Sequence, residues 1–303
     1  MRILSTFAAA LLMSAPVAAF AQELAPIEDT PRIAVMSAFT PEWIALQEAL
    51  EGREDYEING TTFVTGTIEG KEVVLFLSGI SMVNAAMTTQ MALDHFNVES
   101  IVFSGIAGGV DPELNLGDVV VADQWGQYLE AVFAREVDGT YAPPPFIPTS
   151  LPNYGMIFPR EVDVAIAGGE IEQRFWFPVD PDLLETARQV AAEIDLLECV
   201  GENACLSAEP AVIVGGNGVS GQAFVDNADF REYVFGTFEA KVLDMESAAV
   251  AHVAYTNEVP FIAFRSLSDL AGGGEGENEM GTFMGLASDN SSAVVIAFLA
   301  ALP

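Results

Sequence analysis

The 303-residue chain is long enough for one large α/β domain or two small ones, and it is 51% apolar, enough to build a sizeable core. Only 11 basic residues stand against 44 acidic ones, giving a net charge of −33. Such a charge repels phosphate backbones and anionic lipid heads, which argues against nucleic acid and membrane surfaces as partners and leaves the fold undetermined.

In chain order, residues 1–21 read as a processing signal. Arg2 supplies its positive region, residues 7–13 its apolar region, and Ala19-Phe20-Ala21 a small-residue cleavage site. Cleavage after Ala21 would leave a secreted or periplasmic protein starting at Gln22; the apolar run is short for the alternative, a membrane anchor. Residues 32–38 form a buried strand. A helix is expected next, with Thr40 as N-cap and Pro41 at its first position. Residues 61–68 and 72–77 read as strands around a hairpin turn at Glu69-Gly70-Lys71. Residues 81–96 have helical apolar spacing, 100–104 form a buried strand that runs into a loop over 105–109, and 118–122 form the next strand.

The stretch 124–181 is rich in proline and aromatic residues and reads as an ordered surface excursion. A helix follows over about 181–196, then a strand at 211–215, a helix from about Asp226 and a strand at 242–244 that leads into a helix over 246–256. A strand at 260–265 ends at Ser266-Leu267-Ser268-Asp269, and a last helix covers about 279–302. This alternation, with mostly continuous apolar strands, predicts a single α/β domain over 22–303 whose sheet is covered by helices on both faces. Cys199 and Cys205 flank a short Gly/Asn loop. A local disulfide is expected in an oxidising compartment; free thiols or half of a metal site are the alternatives, and the two histidines, His95 and His252, each stand alone.

Ligands of open α/β sheets sit at the carboxyl ends of the strands. Glu42, Ser78, Asp244, Glu246, Ser268 and Asp269 fall at those ends. Converging carboxylates without histidine, cysteine or lysine predict acid–base chemistry in which one carboxyl is kept protonated by burial or by like charge. The pattern is not that of a Ser-His-Asp hydrolase, and with no P-loop and no G-x-G-x-x-G no nucleotide cofactor is expected. On residue type alone each position also has a structural reading: Glu42 and Glu246 suit the first turn of a helix, Asp269 a turn, and Phe224 a core. The run 272–277 reads as a mobile solvated loop or lid.

Residues 103–109 with 116–123, then 244–252 and 264–271, in this order, resemble the nucleoside phosphorylase/hydrolase superfamily, and within it the 5′-methylthioadenosine/S-adenosylhomocysteine nucleosidases. Residues 175–181, the cysteine pair and residues 218–227 resemble a secreted branch that includes plant bark-storage-type proteins. The resemblance implies a three-layer α-β-α fold with a central twisted mixed sheet, a homodimer, a purine nucleoside as small-molecule partner, and no metal or organic cofactor. It makes Asp269 the general acid at purine N7 and Glu42 the base for the attacking water. Glu246 grips the ribose hydroxyls, with Met245 under the sugar. Ser78 and Arg265 help hold the water, Phe224 stacks on the purine, the backbone of Val225 bonds its edge, and Ser268 orients Asp269.

Phosphorolytic members carry a Gly-Asp-Pro-x-Arg-like segment where this chain reads Ser37-Ala38-Phe39-Thr40-Pro41-Glu42, and an arginine near Ser78 that is missing here. Hydrolysis is therefore expected. Met82 stands where nucleosidases often have lysine, and Phe39 where the 5′ substituent is touched, so methylthio, homocysteinyl and hydroxyl groups all stay open. Export points to nucleoside scavenging. The alternatives are a purine nucleoside phosphorylase and a catalytically weak nucleoside-binding or storage protein.

Overall fold

A computed structural model of the protein describes residues 26–166, 169, 171–201, 204–274 and 276–303; the expected processing signal lies outside them. Among the described residues, twelve strands join in one sheet. They are β1 (Pro31–Ser37), β2 (Glu51–Ile58), β3 (Thr61–Ile68), β4 (Lys71–Leu77), β5 (Asn97–Gly109), β6 (Val119–Val121), β7 (Gln124–Gln127), β8 (Trp176–Pro178), β9 (Val212–Val214), β10 (Asn217–Ser220), β11 (Ala240–Asp244) and β12 (Phe261–Asp269). Neighbours run β8-β7-β10-β11-β5-β1-β4-β3-β2, while β12 pairs with β5 and β6, and β6 with β9.

The sheet is mixed. β5 lies parallel to β1 and β12 along its first part, and its last residues, Gly108 and Gly109, run antiparallel to β11. All nine residues of β12 are buried, as a strand covered on both faces requires. The covering helices are α1 (Ile44–Glu48), α2 (Met82–His95), α3 (Pro181–Ala191), α4 (Ala228–Phe238), α5 (Ser247–Thr256) and α6 (Met280–Ala301). α2 packs on α5, and α6 packs on β12, β5 and α3. α6 is long and apolar enough to cross a membrane, yet it is the core helix of this sheet, with Val294, Val295, Phe298 and Leu299 fully buried.

Several elements differ from the sequence-based expectation. The helix expected from Thr40 opens there as a 3-10 turn, Thr40–Glu42, and continues after Trp43 as the short α1; it is capped at Phe39 instead of Thr40, because the Glu42 carboxylate folds back onto the N–H groups of Ala38 and Phe39. The loop expected at 105–109 continues as strand, since residues 105–108 pair with β12 on one side and Gly108 and Gly109 with β11 on the other. β2 is unanticipated: charged at most positions, it lacks the composition of a strand. It forms because Asn59-Gly60, both at positive φ, turns it back onto β3. Its charges suit an edge that must not pair with another chain.

The excursion over 124–181 is ordered, as expected, and built from short hairpins: residues 131–133 with 157–159, 135–137 with 140–142, and 162–165 with 171–174. β7 and β8 join its ends to the main sheet. Its aromatics close a second core over α4, where Tyr154 meets Phe230 at 5.0 Å and Tyr233 at 5.1 Å, and the Tyr233 hydroxyl donates to the Pro152 carbonyl at 2.9 Å. Cys199 and Cys205 form the expected disulfide, across the paired strands of a small ladder.

A net charge of −33 loads the folded state with self-repulsion that salt screens. Raising salt from about 0.01 M to about 1 M shortens the Debye length from roughly 30 Å to roughly 3 Å. The melting temperature is expected to climb across that range in differential scanning fluorimetry; a flat or falling curve rules out repulsion as a significant destabilising term.

Candidate active site

Three strand ends and one helix entrance place the polar residues. At the end of β12 a bulge intervenes: Leu267 pairs with Ala107 and Asp269 with Gly108, so Ser268 has no partner in the ladder. Bulges of this kind re-aim side chains, and here Ser268 and Asp269 both face one cleft. At the end of β11, Asp244 accepts the N–H groups of Glu246 and Ser247, each at 3.1 Å, as well as the Ser220 hydroxyl. This caps the entrance of α5 and fixes Met245 and Glu246 at the cleft.

Beneath lies Arg265, fully buried in β12 with its guanidinium 3.9 Å from the centre of the Phe103 ring. Its Nε pairs with Asp244 Oδ2 at 2.7 Å and donates to the Ser247 hydroxyl at 2.9 Å. Its Nη1 is 4.0 Å from Glu42 Oε1 and its Nη2 is 3.6 Å from Glu246 Oε2, and neither Nη has a hydrogen-bond acceptor within the protein. Glu42 Oε1 takes the Ile106 N–H at 2.9 Å, and its Oε2 takes those of Ala38 at 2.7 Å and Phe39 at 3.2 Å. Glu246 Oε1 takes the Ser81 N–H at 2.8 Å.

Three of the four carboxyls lining the cleft, Glu42, Glu246 and Asp269, are held in their protonated forms more readily than free ones. Burial pushes Glu42 up, against the pull of Arg265 and of its three N–H donors. Burial raises Glu246 to about 7; Arg265 opposes the rise, and the charges of Asp244 and Glu42 add to it. Burial also raises Asp269, with the Glu279 charge adding to it and the Ala271 N–H, the Ser268 hydroxyl and the Asn278 amide resisting. A general acid and a proton acceptor of matched strength can both be drawn from such a set.

The cleft, about 710 Å³ with its open mouth, brings together Glu42, Phe224, Val225, Met245, Glu246, Ser268 and Asp269 of the expected site. Arg265 lies under its floor. Ser78 is buried outside it, donating its hydroxyl to the Gly79 carbonyl at 2.9 Å and lining an adjoining groove that shares Ala38, Phe39 and Ile80 with the cleft. Phe224 is 56% exposed, with a free face over the opening. Sequence reasoning placed Asp244 at a strand end but missed its part as the anchor of Arg265. It also missed Ile80, Met280 and the Ile106 N–H; an apolar residue or a backbone donor at a cleft wall has no sequence signature. His252 stacks on Phe177 at 4.4 Å and accompanies Gln127 on the α5 side, outside the cleft. Among the described residues no cluster suits a metal ion.

The glycine run after Asp269, expected as a mobile solvated loop, is docked as far as Gly274. Gly273 N–H closes a turn onto the Leu270 carbonyl at 2.9 Å, with Ala271 at φ +52° and Gly272 at φ +86°. That left-handed geometry costs an alanine about 1–2 kcal/mol. A Cβ on Gly272 would lie 2.3 Å from the Asn227 nitrogen, and one on Gly274 would lie 1.6 Å from Glu279 Oε1. Glycine is required at 272 by its positive φ and by the Asn227 backbone beside it, whereas at 274 the neighbour is the tip of the Glu279 side chain.

A model of the phosphorylase superfamily matches residues 32–300. The chain belongs to that superfamily. A 5′-methylthioadenosine/S-adenosylhomocysteine nucleosidase from Lysinibacillus sphaericus is 33% identical over 274 residues, covering 89% of this chain and all of that one. One of the same description from Tolumonas auensis is 30% identical over 269 residues, covering 88% and 98%. Among solved structures, the 5′-methylthioadenosine/S-adenosylhomocysteine nucleosidase of Neisseria meningitidis in complex with methylthio-immucillin-A superposes with a TM-score of 0.66 at 26% identity, covering 89% of this chain and 99% of that one. The fold is therefore the α-β-α arrangement of this superfamily, with its mixed central sheet and flanking helices.

Two outcomes follow from the geometry. A Cβ on Gly105 would lie 1.9 Å from Arg265 Nη1 and 2.8 Å from Glu42 Oε1. Gly105→Ala is expected to destabilise by about 1–3 kcal/mol and to lower kcat/KM by roughly 100-fold through misplacement of the site; urea melts and initial rates measure both, and wild-type rates would mean that the guanidinium is not held where described. The second concerns pH. Glu246 is raised from 4.5 to about 7, so the folded state binds a proton that the unfolded state releases. The associated stability is complete below about pH 4.5 and is lost as pH rises through about 7. The urea midpoint is expected to fall over that window, and Glu246→Gln to flatten part of the fall; an identical slope in the variant would assign it to other groups.

Proposed function

We propose that this protein hydrolyses the N-glycosidic bond of 6-amino purine nucleosides, 5′-methylthioadenosine and S-adenosylhomocysteine among them. The observation that carries the reading is the composition of the cleft. Three carboxyls of raised proton affinity face it, the nearest cation is Arg265, and Arg265 is already paired with Asp244 and flanked by Glu42 and Glu246. Among the described residues no lysine, histidine or further arginine lines the cleft to receive a phosphate. Water is the nucleophile that such a site accommodates, which disfavours phosphorolysis.

In this reading the purine lies against Phe224, with its edge at the Val225 backbone and Asp269. The Asp269 carboxyl gives its proton to N7, the C1′–N9 bond breaks with its electrons leaving on the base, and positive charge develops on the sugar. Glu246 holds the ribose hydroxyls over Met245. Glu42 takes a proton from the water that attacks C1′, and the Arg265 Nη groups beside it supply donors that orient this water. Ser268, donating to Asp269 Oδ2 at 3.0 Å, sets the orientation of the acid. Ser78 acts from the adjoining groove. The products are the free base and the free sugar.

The same proposal places the protein outside the cytoplasm, in keeping with the Cys199–Cys205 disulfide. It also makes the protein a homodimer: Ile80, Val83 and Met87, at the start of α2, leave apolar side chains 49–66% exposed beside the cleft.

The deciding measurement is base release from adenosine and 5′-methylthioadenosine in phosphate-free buffer. Free adenine and reducing sugar are expected without phosphate, and Glu42→Gln and Asp269→Asn should each lose at least roughly 100-fold. A requirement for phosphate with formation of a sugar phosphate would make the protein a phosphorylase. Binding of adenine without turnover would make it a nucleoside-binding or storage protein. Light scattering at twice the chain mass is the outcome expected for the dimer.

A further inference from the structure

The mechanism makes no use of the loop between Asp269 and α6, yet both ends of that loop are tied down. The Ala271 N–H donates to Asp269 Oδ1 at 2.8 Å, and the Ala271 carbonyl accepts the Asn227 N–H at 3.0 Å, two residues beyond Val225. Asn278 Nδ2 donates to Asp226 Oδ1 at 3.1 Å, and Asn278 Oδ1 accepts the Met280 N–H at 3.0 Å. Glu279, the residue before α6, reaches back into the loop. Its Oε2 accepts the Leu270 N–H at 3.4 Å, and its Oε1 occupies the space that a side chain at Gly274 would need.

We propose that Glu279 is a positioning residue for the general acid, filling the turn from Leu270 to Gly274 so that Asp269 stays aimed at the purine held by residues 224–227. This rests on the assignment of Asp269 as the acid. Ala271 keeps a left-handed conformation that an alanine adopts only under constraint. Through its N–H and carbonyl that one residue links the acid to the base-binding segment. Glu279 constrains the turn from inside, at the N–H of Leu270, and the Asn278 amide closes it from outside.

The charged groups on the elements around this turn are Asp226 ahead of α4 and Arg231 on α4, which donates to the Gly109 carbonyl at 2.9 Å. Across the cleft stand Glu42 and Glu246 over Arg265. Of these and Glu279, the charge that acts on Asp269 is that of Glu279, which favours the protonated acid.

The test compares Glu279→Gln, Glu279→Ala and Gly274→Ala with the wild type and with Asp269→Asn, using rates corrected for folded fraction by thermal melts. Glu279→Ala and Gly274→Ala are expected to lose roughly ten-fold in kcat with a smaller change in KM, as misplacement of one reacting group does. Glu279→Gln keeps the volume and the acceptor but not the charge. It should recover most of kcat, while the alkaline limb of its kcat/KM profile moves to lower pH because Asp269 gives up its proton more easily. Unchanged kcat and an unmoved limb in all three variants would overturn the inference, provided that Asp269→Asn is inactive. An active Asp269→Asn would instead overturn the assignment of the acid.

Discussion

The site is organised around one buried cation. Arg265 sits in the middle of β12 with no exposure and touches three carboxylates, Asp244 directly and Glu42 and Glu246 at 4.0 and 3.6 Å. One guanidinium cannot neutralise three ionised carboxyls, so the group as a whole holds a proton more readily than free carboxyls do, burial pushing both Glu42 and Glu246 up. Removing the cation from such a group leaves buried anions unpaired, a change that typically destabilises by about 3–5 kcal/mol. The surrounding backbone is arranged to accept it. Gly105 leaves room for the guanidinium, Phe103 offers the face of its ring, and the entrance of α5 is capped by the same Asp244 that holds Nε.

Much of this was legible in the sequence, for definable reasons. The buried strands announce themselves as apolar runs, and the strand ends then single out Glu42, Glu246 and Asp269 because ligands collect there. The pairing of the two cysteines follows from their separation and the compartment. What the sequence hides is contact made by backbone. That the 105–109 segment is strand and not loop depends on β12 running alongside residues 105–108 and on β11 meeting Gly108 and Gly109, and no local pattern reports a distant partner. β2 is charged along most of its length and forms through an Asn-Gly turn and the presence of β3, so its own composition points the wrong way. The docking of the glycine run likewise depends on Asn227 and Glu279, remote from Gly272 in one case and seen only in three dimensions in the other.

The excursion over 124–181 departs most from an unembellished sheet-and-helix plan, and its attachment explains why it is ordered. Its aromatic residues pack on α4, the helix that begins shortly after Phe224 and Val225 of the cleft, and Tyr233 of α4 bonds to the Pro152 carbonyl. The excursion therefore buttresses the helix that follows Phe224 and Val225, although among the described residues it contributes none to the cleft itself.

The pairing of β5 and β12 has a wider consequence. Glu42 is fastened to the backbone N–H of Ile106, and Asp269 is in register with Gly108, two residues further along the same strand. Both carboxyls are thus referenced to one strand, Glu42 through a hydrogen bond to its backbone and Asp269 through the register of β12 on it, so that β5 acts as a common ruler for the pair. Phe39, Ile80, Phe224 and Met280 line the same cleft without any tie to that ruler, so the outline of its apolar wall can change while the spacing of the carboxyl pair does not.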